Sequence, residues 1–314
     1  MFNYTYARVF APATIANVGC GFDILGLALH QPGDEIVVTR TKNPDIRVTS
    51  VTGDEGTLPR QAESNTAGIS ILKLWNHLGA EGGLDIEIHK KMPMGSGLGS
   101  SAASAVGGIA AVNALLEHPL PNEQLLPFAL EGERLASGAP HADNAAASLF
   151  GGFVLVRSSD PVDIVPIAPP QDLYTAVLHP QIEIRTEDTR RILRKNIPLS
   201  LAVKQWANVG GLIAGLLNCD YGLISRSLPD VVVEPTRSVL IPGFDAIKNS
   251  ALETGALGSS ISGSGPSIFA LCRGEEQARA AGEAMKETLN QLELASDLYL
   301  SPVNPDGPKI LERK

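Results

Sequence analysis

The feature that most constrains this chain is a glycine-rich stretch that reads Pro-Met-Gly-Ser-Gly-Leu-Gly-Ser-Ser-Ala-Ala-Ser over residues 93–104. Residues 84–89 alternate apolar with polar side chains, which predicts a half-buried strand before it, and the alanine-rich residues 101–116 predict a helix after it. Gly95, Gly97 and Gly99 let the backbone curl and bring its N–H groups close to a ligand. The unpaired N–H groups and the positive dipole end of the helix face the same point. The stretch therefore predicts an anion site suited to phosphates.

The spacing of this loop separates it from other phosphate-binding motifs. It lacks the closing lysine of the GxxxxGK[ST] loop. Its glycines are spaced GxGxG, whereas the dinucleotide-binding fingerprint is GxGxxG. The HRD and DFG signatures of protein kinases are absent from the sequence. On physical grounds alone, a tight turn followed by a capped helix without a ligand stays open as the alternative.

The composition and charge of the chain limit the binding partners and the cellular compartment that we expect. The chain has 314 residues and a net charge of −9, and its densest basic group lies within residues 190–195 at the spacing of a solvated helix face. Nucleic acid and anionic membrane surfaces require clustered basic residues, so neither is an expected partner. The three cysteines have no CxxC spacing, and the N-terminus has no signal-peptide pattern. We therefore expect a soluble cytoplasmic protein.

Strand and helix patterns are mixed along the chain without strict alternation. The predicted strands are 35–39, 46–51, 84–89, 152–156, 163–167, 174–178, 267–272 and 297–301. The predicted helices are 65–78, 101–116, 122–136, 187–195, 200–217, 243–253 and 275–292. This mixture favours an α+β fold. Prolines in residues 158–171 predict a boundary between a domain of residues 1–160, which carries the loop, and a domain of residues 161–314.

The loop resembles the second motif of the GHMP kinases, the family of galactokinase, homoserine kinase, mevalonate kinase and phosphomevalonate kinase. Residues 11–23, Ala-Pro-Ala-Thr-Ile-Ala-Asn-Val-Gly-Cys-Gly-Phe-Asp, resemble the first motif, and residues 259–267, Ser-Ser-Ile-Ser-Gly-Ser-Gly-Pro-Ser, resemble the third. The three motifs follow one another in the family's order. The resemblance implies a two-domain fold, with an N-terminal part like ribosomal protein S5 domain 2 and a ferredoxin-like C-terminal part.

Three segments are similar to the homoserine kinase branch of that family. They are the first motif as extended to Leu29, Ser-Gly-Ala-Pro-His-Ala-Asp-Asn at 137–144, and Asp-Val-Val-Val-Glu-Pro-Thr-Arg at 230–237. The resemblance implies transfer of the γ-phosphate of ATP to the side-chain hydroxyl of L-homoserine, a step of threonine biosynthesis. It also implies Mg²⁺ as cofactor and a homodimer.

Site residues are carried over from the motifs of the family. The resemblance implies that the substrate contacts are Asn17, Asp23, His141, Asp143, Asn144, Thr186, Arg190 and Arg237. The implied phosphate contacts are Lys90, Pro93, Gly95, Ser96, Gly97, Leu98, Gly99, Ser100, Ser101 and Ser104. The third motif adds Ser262, Gly263, Ser264 and Gly265. Ser101 and Glu133 would hold Mg²⁺, which asks for only one or two protein oxygens, and Asn65 would contact the base of the nucleotide.

An amino-acid substrate is consistent with the chemistry of these residues. A zwitterion needs an anionic partner for its ammonium group and a cationic fork for its carboxylate, which arginine provides. By resemblance, Asn17 and Asp23 meet the amino end and the hydroxyl region of the substrate, and Arg190 and Arg237 grip its carboxylate. Taken singly, each residue has a structural alternative, such as a turn cap for Asp23 or an ion pair between Arg237 and Glu234.

The expected mechanism depends on one position. In mevalonate kinase and galactokinase a carboxylate near this point takes the proton of the attacking hydroxyl, and here Asn144 corresponds to it by resemblance. We therefore expect direct in-line transfer without a dedicated protein base, with Asp143 as the rival candidate for a base. The other functions left open are a GHMP kinase for shikimate or mevalonate, a non-catalytic metabolite sensor and a decarboxylase of the same superfamily.

Overall fold

The computed structural model describes residues 2–138, 142–184 and 186–314. The strands are β1 (Tyr6–Ala16), β2 (Leu25–Thr41), β3 (Ile46–Thr52), β4 (Gly83–His89), β5 (Phe153–Ser159), β6 (Val162–Ile167), β7 (Leu173–Pro180), β8 (Gly258–Ile261), β9 (Ile268–Arg273), β10 (Ser296–Pro302) and β11 (Lys309–Arg313). The helices are α1 (Thr66–His77), α2 (Ser100–Leu115), α3 (Asn122–Ser137), α4 (Ala142–Phe150), α5 (Thr186–Arg191), α6 (Leu199–Asn218), α7 (Tyr221–Ser227), α8 (Glu234–Arg237), α9 (Phe244–Glu253) and α10 (Glu275–Asn290).

The strands form two sheets. The larger sheet has the order β11-β1-β2-β4-β3, and β5 and β6 extend it from β2. Its pairs are antiparallel except β3–β4, and the last strand of the chain, β11, returns to pair with β1. The smaller sheet has the order β10-β7-β9-β8. Two sheets of mainly antiparallel strands with helices segregated onto them confirm the predicted α+β class.

Three hydrophobic clusters hold these layers together. One lies between the larger sheet and α1 to α4, and another lies between the smaller sheet and α9 and α10. The third contains buried residues of both sheets, including Leu27 and Phe153 from the larger and Phe269 from the smaller. Each such side chain contributes about 1.5–3 kcal/mol on burial, so the two halves of the chain are joined by a shared core.

Helix α2 is positioned by its small residues. It is buried nearly all round, and a Cβ atom at Gly107 would lie 2.6 Å from Ile36 Cγ1 and 3.2 Å from Ala11 Cβ. Glycine at this point therefore lets the helix backbone approach β1 and β2 closely. The contact directs the N-terminus of α2, and the loop before it, towards the seam between the two sheets.

Most predicted elements are confirmed, and several others were missed. The sequence patterns passed over β1, the first part of β2, α4, α7, α8, β8 and β11. Strand β1 is nearly all buried along its second half, so it shows no alternation of apolar and polar residues. The predicted helix 187–195 ends earlier, at Arg191. The predicted boundary after residue 160 falls between β5 and β6, whereas the chain changes sheet between Ile167 and Leu173; the division into domains stays a prediction.

Candidate active site

The glycine-rich loop borders a cavity of about 470 Å³. Gly95, Gly97 and Gly99 have φ angles of 67°, 80° and 66°, in the left-handed region that glycine adopts without strain. A Cβ atom at Gly97 would lie 2.5 Å from Ser262 O, and one at Gly99 would lie 2.1 Å from Thr14 Oγ1. The loop is therefore pressed against its neighbours on one side and faces the cavity on the other.

The carbonyl groups of the loop show which side faces the cavity. Ser96 O accepts a hydrogen bond from Ser267 N at 3.2 Å, and Leu98 O accepts one from Thr14 N at 3.0 Å. Gly97 O accepts one from Ser262 Oγ at 2.7 Å. Three successive carbonyls are thus held by the first and third motifs, which leaves the N–H groups of the same peptides pointing the opposite way. The arrangement is an anion-binding concavity at a helix N-terminus.

A buried lysine secures the base of the loop. Lys90 forms an ion pair with Asp34, and its ammonium group also donates to Ser100 O at 2.9 Å and Ser104 Oγ at 2.8 Å. Burial lowers the pKa of Lys90, while the Asp34 carboxylate opposes that shift. All three ammonium protons are engaged, so Lys90 ties β4 and β2 to the first turn of α2.

A buried carboxyl group faces the start of α2. Glu133, on α3, is 2% exposed and lines the cavity together with Ser101. Burial raises the pKa of Glu133 to about 7, and a hydrogen bond with Ser101 opposes the shift. Within residues 2–138, 142–184 and 186–314, no cluster of three or more His, Cys, Asp or Glu side chains has the arrangement of a metal site. The pair offers two hard oxygen ligands, which suits a cation that keeps most of its waters.

The first and third motifs meet at a strained turn. Asn17 and Asp23 have φ angles of 69° and 60°, which are unusual for residues other than glycine. Asn17 Oδ1 accepts a hydrogen bond from Asp23 N at 2.9 Å, and Asn17 Nδ2 donates to Gly263 O at 2.8 Å. The amide of Asn17 therefore holds the turn closed and fastens it to the other half of the chain.

Two arginines converge on this turn. Arg190 donates two hydrogen bonds to Asp23, at 3.0 and 3.3 Å, and Arg237 donates to Gly263 O at 3.0 Å. The ring of Phe22 lies 5.9 Å from the Arg190 guanidinium carbon and 5.0 Å from that of Arg237. Burial, followed by repulsion from Arg190, lowers the pKa of Arg237 to about 10. Two like charges share one aromatic support, which is favourable when an anion lies between them.

The first turn of α4 completes the cavity wall. Asp143 is 3% exposed, and burial, followed by the nearby Asp23 carboxylate, raises its pKa to about 7. Asn144 Oδ1 accepts a hydrogen bond from Thr14 Oγ1 at 2.7 Å, which orients the side chain and fixes where its two N–H donors lie. The cavity thus carries a titratable carboxyl group and a neutral amide side by side.

Most of the residues expected at the site line one cavity. Those lining it are Asn17, Asp23, Asn65, Lys90, Gly95, Ser96, Gly97, Gly99, Ser100, Ser101, Ser104, Glu133, Asp143, Asn144, Arg190, Arg237, Gly263 and Ser264. Pro93, Leu98, Ser262 and Gly265 are not on its wall, although Ser262 contacts the loop from behind. Thr186 begins α5, and His141 lies outside the described residues. Asn65 caps α1, where Oδ1 accepts from Ala67 N and Gly68 N. All individual roles stay predictions.

Sequence reasoning missed some of the residues that build the site. Asp34 is fully buried beneath the loop, and Thr14 orients Asn144. Phe22 supports both arginines, and its position beside Asp23 in the first motif is the one signal that pointed to it. Asp34 gave no signal, because it pairs with a lysine 56 residues away.

In the ranges that the structure describes, no helix is both long and apolar enough to cross a lipid bilayer.

The chain is similar to proteins of known family. The model of the GHMP kinases N terminal domain matches residues 65–152, and that of the GHMP kinases C terminal domain matches residues 212–291. A homoserine kinase of Chloroherpeton thalassium is 49% identical over 96% of this chain and 98% of its own length. A crystal structure of homoserine kinase from Cytophaga hutchinsonii is 55% identical, with a TM-score of 0.96 over 99% of each chain. The L. major mevalonate kinase, 18% identical with a TM-score of 0.68 over 96% of each chain, shares the fold.

Proposed function

This chain belongs to the homoserine kinases of the GHMP kinase family, and we propose that it transfers the γ-phosphate of ATP to the side-chain hydroxyl of L-homoserine. The products are O-phospho-L-homoserine, an intermediate on the way to threonine, and ADP. The predicted family and two-domain fold are confirmed by the same matches. The observation that carries the proposal is a single cavity with a phosphate loop at one side and a zwitterion-binding set of charges at the other.

The loop holds the phosphates of ATP in this proposal. N–H groups along the loop and the start of α2 point to the cavity, and the hydroxyl of Ser96 is a buried donor with no hydrogen-bond partner among the described residues. A buried polar group without a partner costs about 1–3 kcal/mol, which a phosphate oxygen would recover. Lys90 contributes by fixing the first turn of α2, and Asn65 by shaping the nucleotide end of the cavity.

Ser101 and Glu133 are the proposed protein ligands of Mg²⁺. A carboxyl group buried beside a hydroxyl, with its pKa raised to about 7, is an unfavourable place for a lone negative charge and a favourable one for a bound cation. When bound, Mg²⁺ supplies charge stabilisation to the phosphates. The protein's own part is to hold both oxygens towards the loop.

L-Homoserine is proposed to bind between the first motif and α4. Its carboxylate would pair with Arg190 and Arg237, which share Phe22 as support. The Nε atom of Arg237 is buried and makes no hydrogen bond within the described part of the chain, so its N–H can donate to the substrate carboxylate. The ammonium group would lie against Asp23 and Asp143, whose mutual repulsion it relieves.

We infer that the transfer proceeds in line without a dedicated protein base. The neutral amide of Asn144 cannot act as a base, and with its oxygen oriented by Thr14 it can donate an N–H to a phosphoryl oxygen. A loose transition state needs little deprotonation of the attacking hydroxyl, whose proton passes to a phosphate oxygen or to water. A carboxyl with a pKa of about 7 also meets the requirement for a base, so Asp143→Asn is the deciding variant.

The test of the function is ADP release with Mg-ATP against L-homoserine, mevalonate, shikimate, galactose and no acceptor. We expect turnover with L-homoserine alone. Turnover with another alcohol would support the role proposed for the phosphate loop and overturn the proposed acceptor site. No ADP release with any acceptor would favour a metabolite sensor. Binding of ATP measured by calorimetry would then separate a sensor from an inactive preparation.

We further propose that the enzyme is a homodimer in the cytoplasm. Cys20, Cys219 and Cys272 are free thiols, as in proteins of a reducing compartment. The homodimer has a physical basis in a surface of α6.

A further inference from the structure

Helix α6 carries an exposed apolar stripe along one side. The stripe consists of Leu199, Val203, Trp206, Gly210 and Leu217, which are exposed, and Ile213, which is half-buried and also packs against the core that the two sheets share. Steps of four and three residues alternate along it, which is the spacing of a helix–helix seam. Leu199, Trp206 and Leu217 are 70%, 63% and 64% exposed. Lys204, the helix's charged residue, projects from another side, so nothing charged interrupts the stripe.

Another face of α6 already has its partner within the chain. Leu212 and Leu216 are buried in the core that the two sheets share. A Cβ atom at Gly211 would lie 2.3 Å from Ser227 Oγ, and one at Gly215 would lie 2.9 Å from Ile224. These two glycines therefore permit the close packing of α7.

At Gly210, by contrast, no contact within the single chain requires a glycine. A Cβ atom there would meet nothing within 4 Å. Glycine inside a helix costs about 1 kcal/mol relative to alanine. Its smallness serves no contact of the single chain, and it lies in the middle of the exposed stripe beside Trp206.

The stripe has the same spacing in both directions from Asn208. Trp206 and Gly210 are two residues from that centre, Val203 and Ile213 are five, and Leu199 and Leu217 are nine. A second copy of the helix, antiparallel about a twofold axis, would place Trp206 opposite Gly210 of that copy. It would also place valine opposite isoleucine and leucine opposite leucine. Such an isologous contact matches large with small and apolar with apolar.

Charge supports the same orientation. Arg194 and Lys195 precede the helix, and Asp220 follows it. An antiparallel pair brings the basic segment of one copy towards the acidic end of the other. It also sets the two helix dipoles against each other favourably.

We propose that the stripe on α6 is the interface of the homodimer, with two copies packed antiparallel about a twofold axis that crosses the stripe at the level of residue 208. The inference rests on the homodimer of the proposed function and specifies its surface. Trp206 of each copy fills the space over Gly210 of the other. A second copy is the occupant that fits, because the antiparallel register pairs Trp206 with Gly210 and each remaining apolar residue of the stripe with another apolar residue.

The experiment is sedimentation velocity of the full-length protein from about 0.1 to about 50 µM, because mass action makes dimerisation depend on concentration. Two variants place a glutamate on exposed sides of the same helix, Trp206→Glu in the stripe and Lys204→Glu outside it. We expect wild type and Lys204→Glu to reach twice the chain mass of 33.1 kDa. Trp206→Glu should stay at the mass of one chain and keep the wild-type circular dichroism spectrum.

A second variant tests the fit at the centre of the stripe. Gly210→Leu has room in the single chain and improves helix propensity, but it fills the space proposed for Trp206 of the second copy. We expect its dimer dissociation constant to rise about 100-fold, with thermal stability of the monomer retained. A dimer that persists in both Trp206→Glu and Gly210→Leu would overturn the proposed interface but not the proposed homodimer. A wild-type monomer at every concentration would overturn both, and the ADP-release assay tests the kinase separately.

Discussion

The side of the cavity proposed to bind the phosphates, the phosphate side, and the side proposed to bind L-homoserine, the acceptor side, are built in different ways. The phosphate side is one continuous segment, in which three glycines with positive φ lead into α2. The acceptor side is assembled from the first motif, α4, α5 and α8, which are far apart in the chain. Its groups are held by side-chain contacts, such as the pairing of Arg190 with Asp23. The phosphate side thus depends on local backbone geometry, and the acceptor side depends on how the two halves of the chain pack.

This difference predicts different responses to substitution. A change in the loop should act through backbone displacement and affect ATP first. A change on the acceptor side should act through charge and affect homoserine first. Within the acceptor side, one peptide oxygen joins distant parts of the chain, since Gly263 O accepts from both Asn17 and Arg237.

The largest effect is expected for Gly97→Ala. Its Cβ atom would lie 2.5 Å from Ser262 O and force the loop to move. A displacement of about 1 Å costs about 100-fold in rate, and the positive φ adds about another tenfold, so kcat/KM for ATP should fall about 10³-fold. The matched control is Gly95→Ala, which has a similar φ and meets nothing within 4 Å, and which should lose only about tenfold. Equal losses in the two variants would mean that backbone conformation alone, and not the contact with the third motif, sets the loop.

Arg237→Ala should give the next largest effect. Removing one partner of a buried charge pair costs about 3–5 kcal/mol, so kcat/KM for L-homoserine should fall about 500-fold. KM for ATP should change little, because Arg237 is on the acceptor side. Arg237→Lys keeps the charge without the planar fork and should recover only part of the loss. An equal rise in both KM values would show instead that the variant displaces Gly263, which lines the same cavity.

Asp143→Asn separates binding from base catalysis. If Asp143 binds the ammonium group, KM for L-homoserine should rise about 50-fold, as expected for a lost charged hydrogen bond. The value of kcat at saturating homoserine should stay within about threefold. A large drop in kcat with KM unchanged would instead make Asp143 the general base.

The pH dependence should follow the same carboxyl group. Burial raises the pKa of Asp143 to about 7, so the group is mostly neutral below that pH and lacks the charge that attracts an ammonium. The wild-type kcat/KM for L-homoserine should therefore rise up to about tenfold per pH unit below 7 and level off above it. In Asp143→Asn this rise should disappear. A profile that keeps its shape in the variant would assign the titration to another group.

The smallest effect concerns the stability of the ligand-free protein. Glu133 is protonated in the folded state up to about pH 7, whereas an unfolded glutamate loses its proton near about pH 4.3. The folded state therefore holds more protons between these values, and its stability should fall as pH rises through that window and level off above it. Glu133→Gln should flatten the dependence of Tm on pH by a few degrees. Mg-ATP should raise Tm at pH 8 more in wild type than in Glu133→Gln.

Local features of the site could be read from the sequence. The loop, its positive-φ glycines and the helix that follows are properties of one segment, because glycine conformation and helix N-termini depend on neighbours in the chain. The choice of Glu133 and of the paired arginines depended on resemblance. The stripe on α6 was present in the sequence, but only the structure shows which side of that helix is covered.

The sequence by itself determined the class of fold, the phosphate loop and the chemistry of the groups around it. Tertiary structure alone decided the partners of those groups. Asp34 lies under Lys90, Thr14 orients Asn144, and Phe22 supports two arginines at once. These contacts join residues far apart in the chain, and their energies depend on burial and on distances that only the packed sheets and helices define.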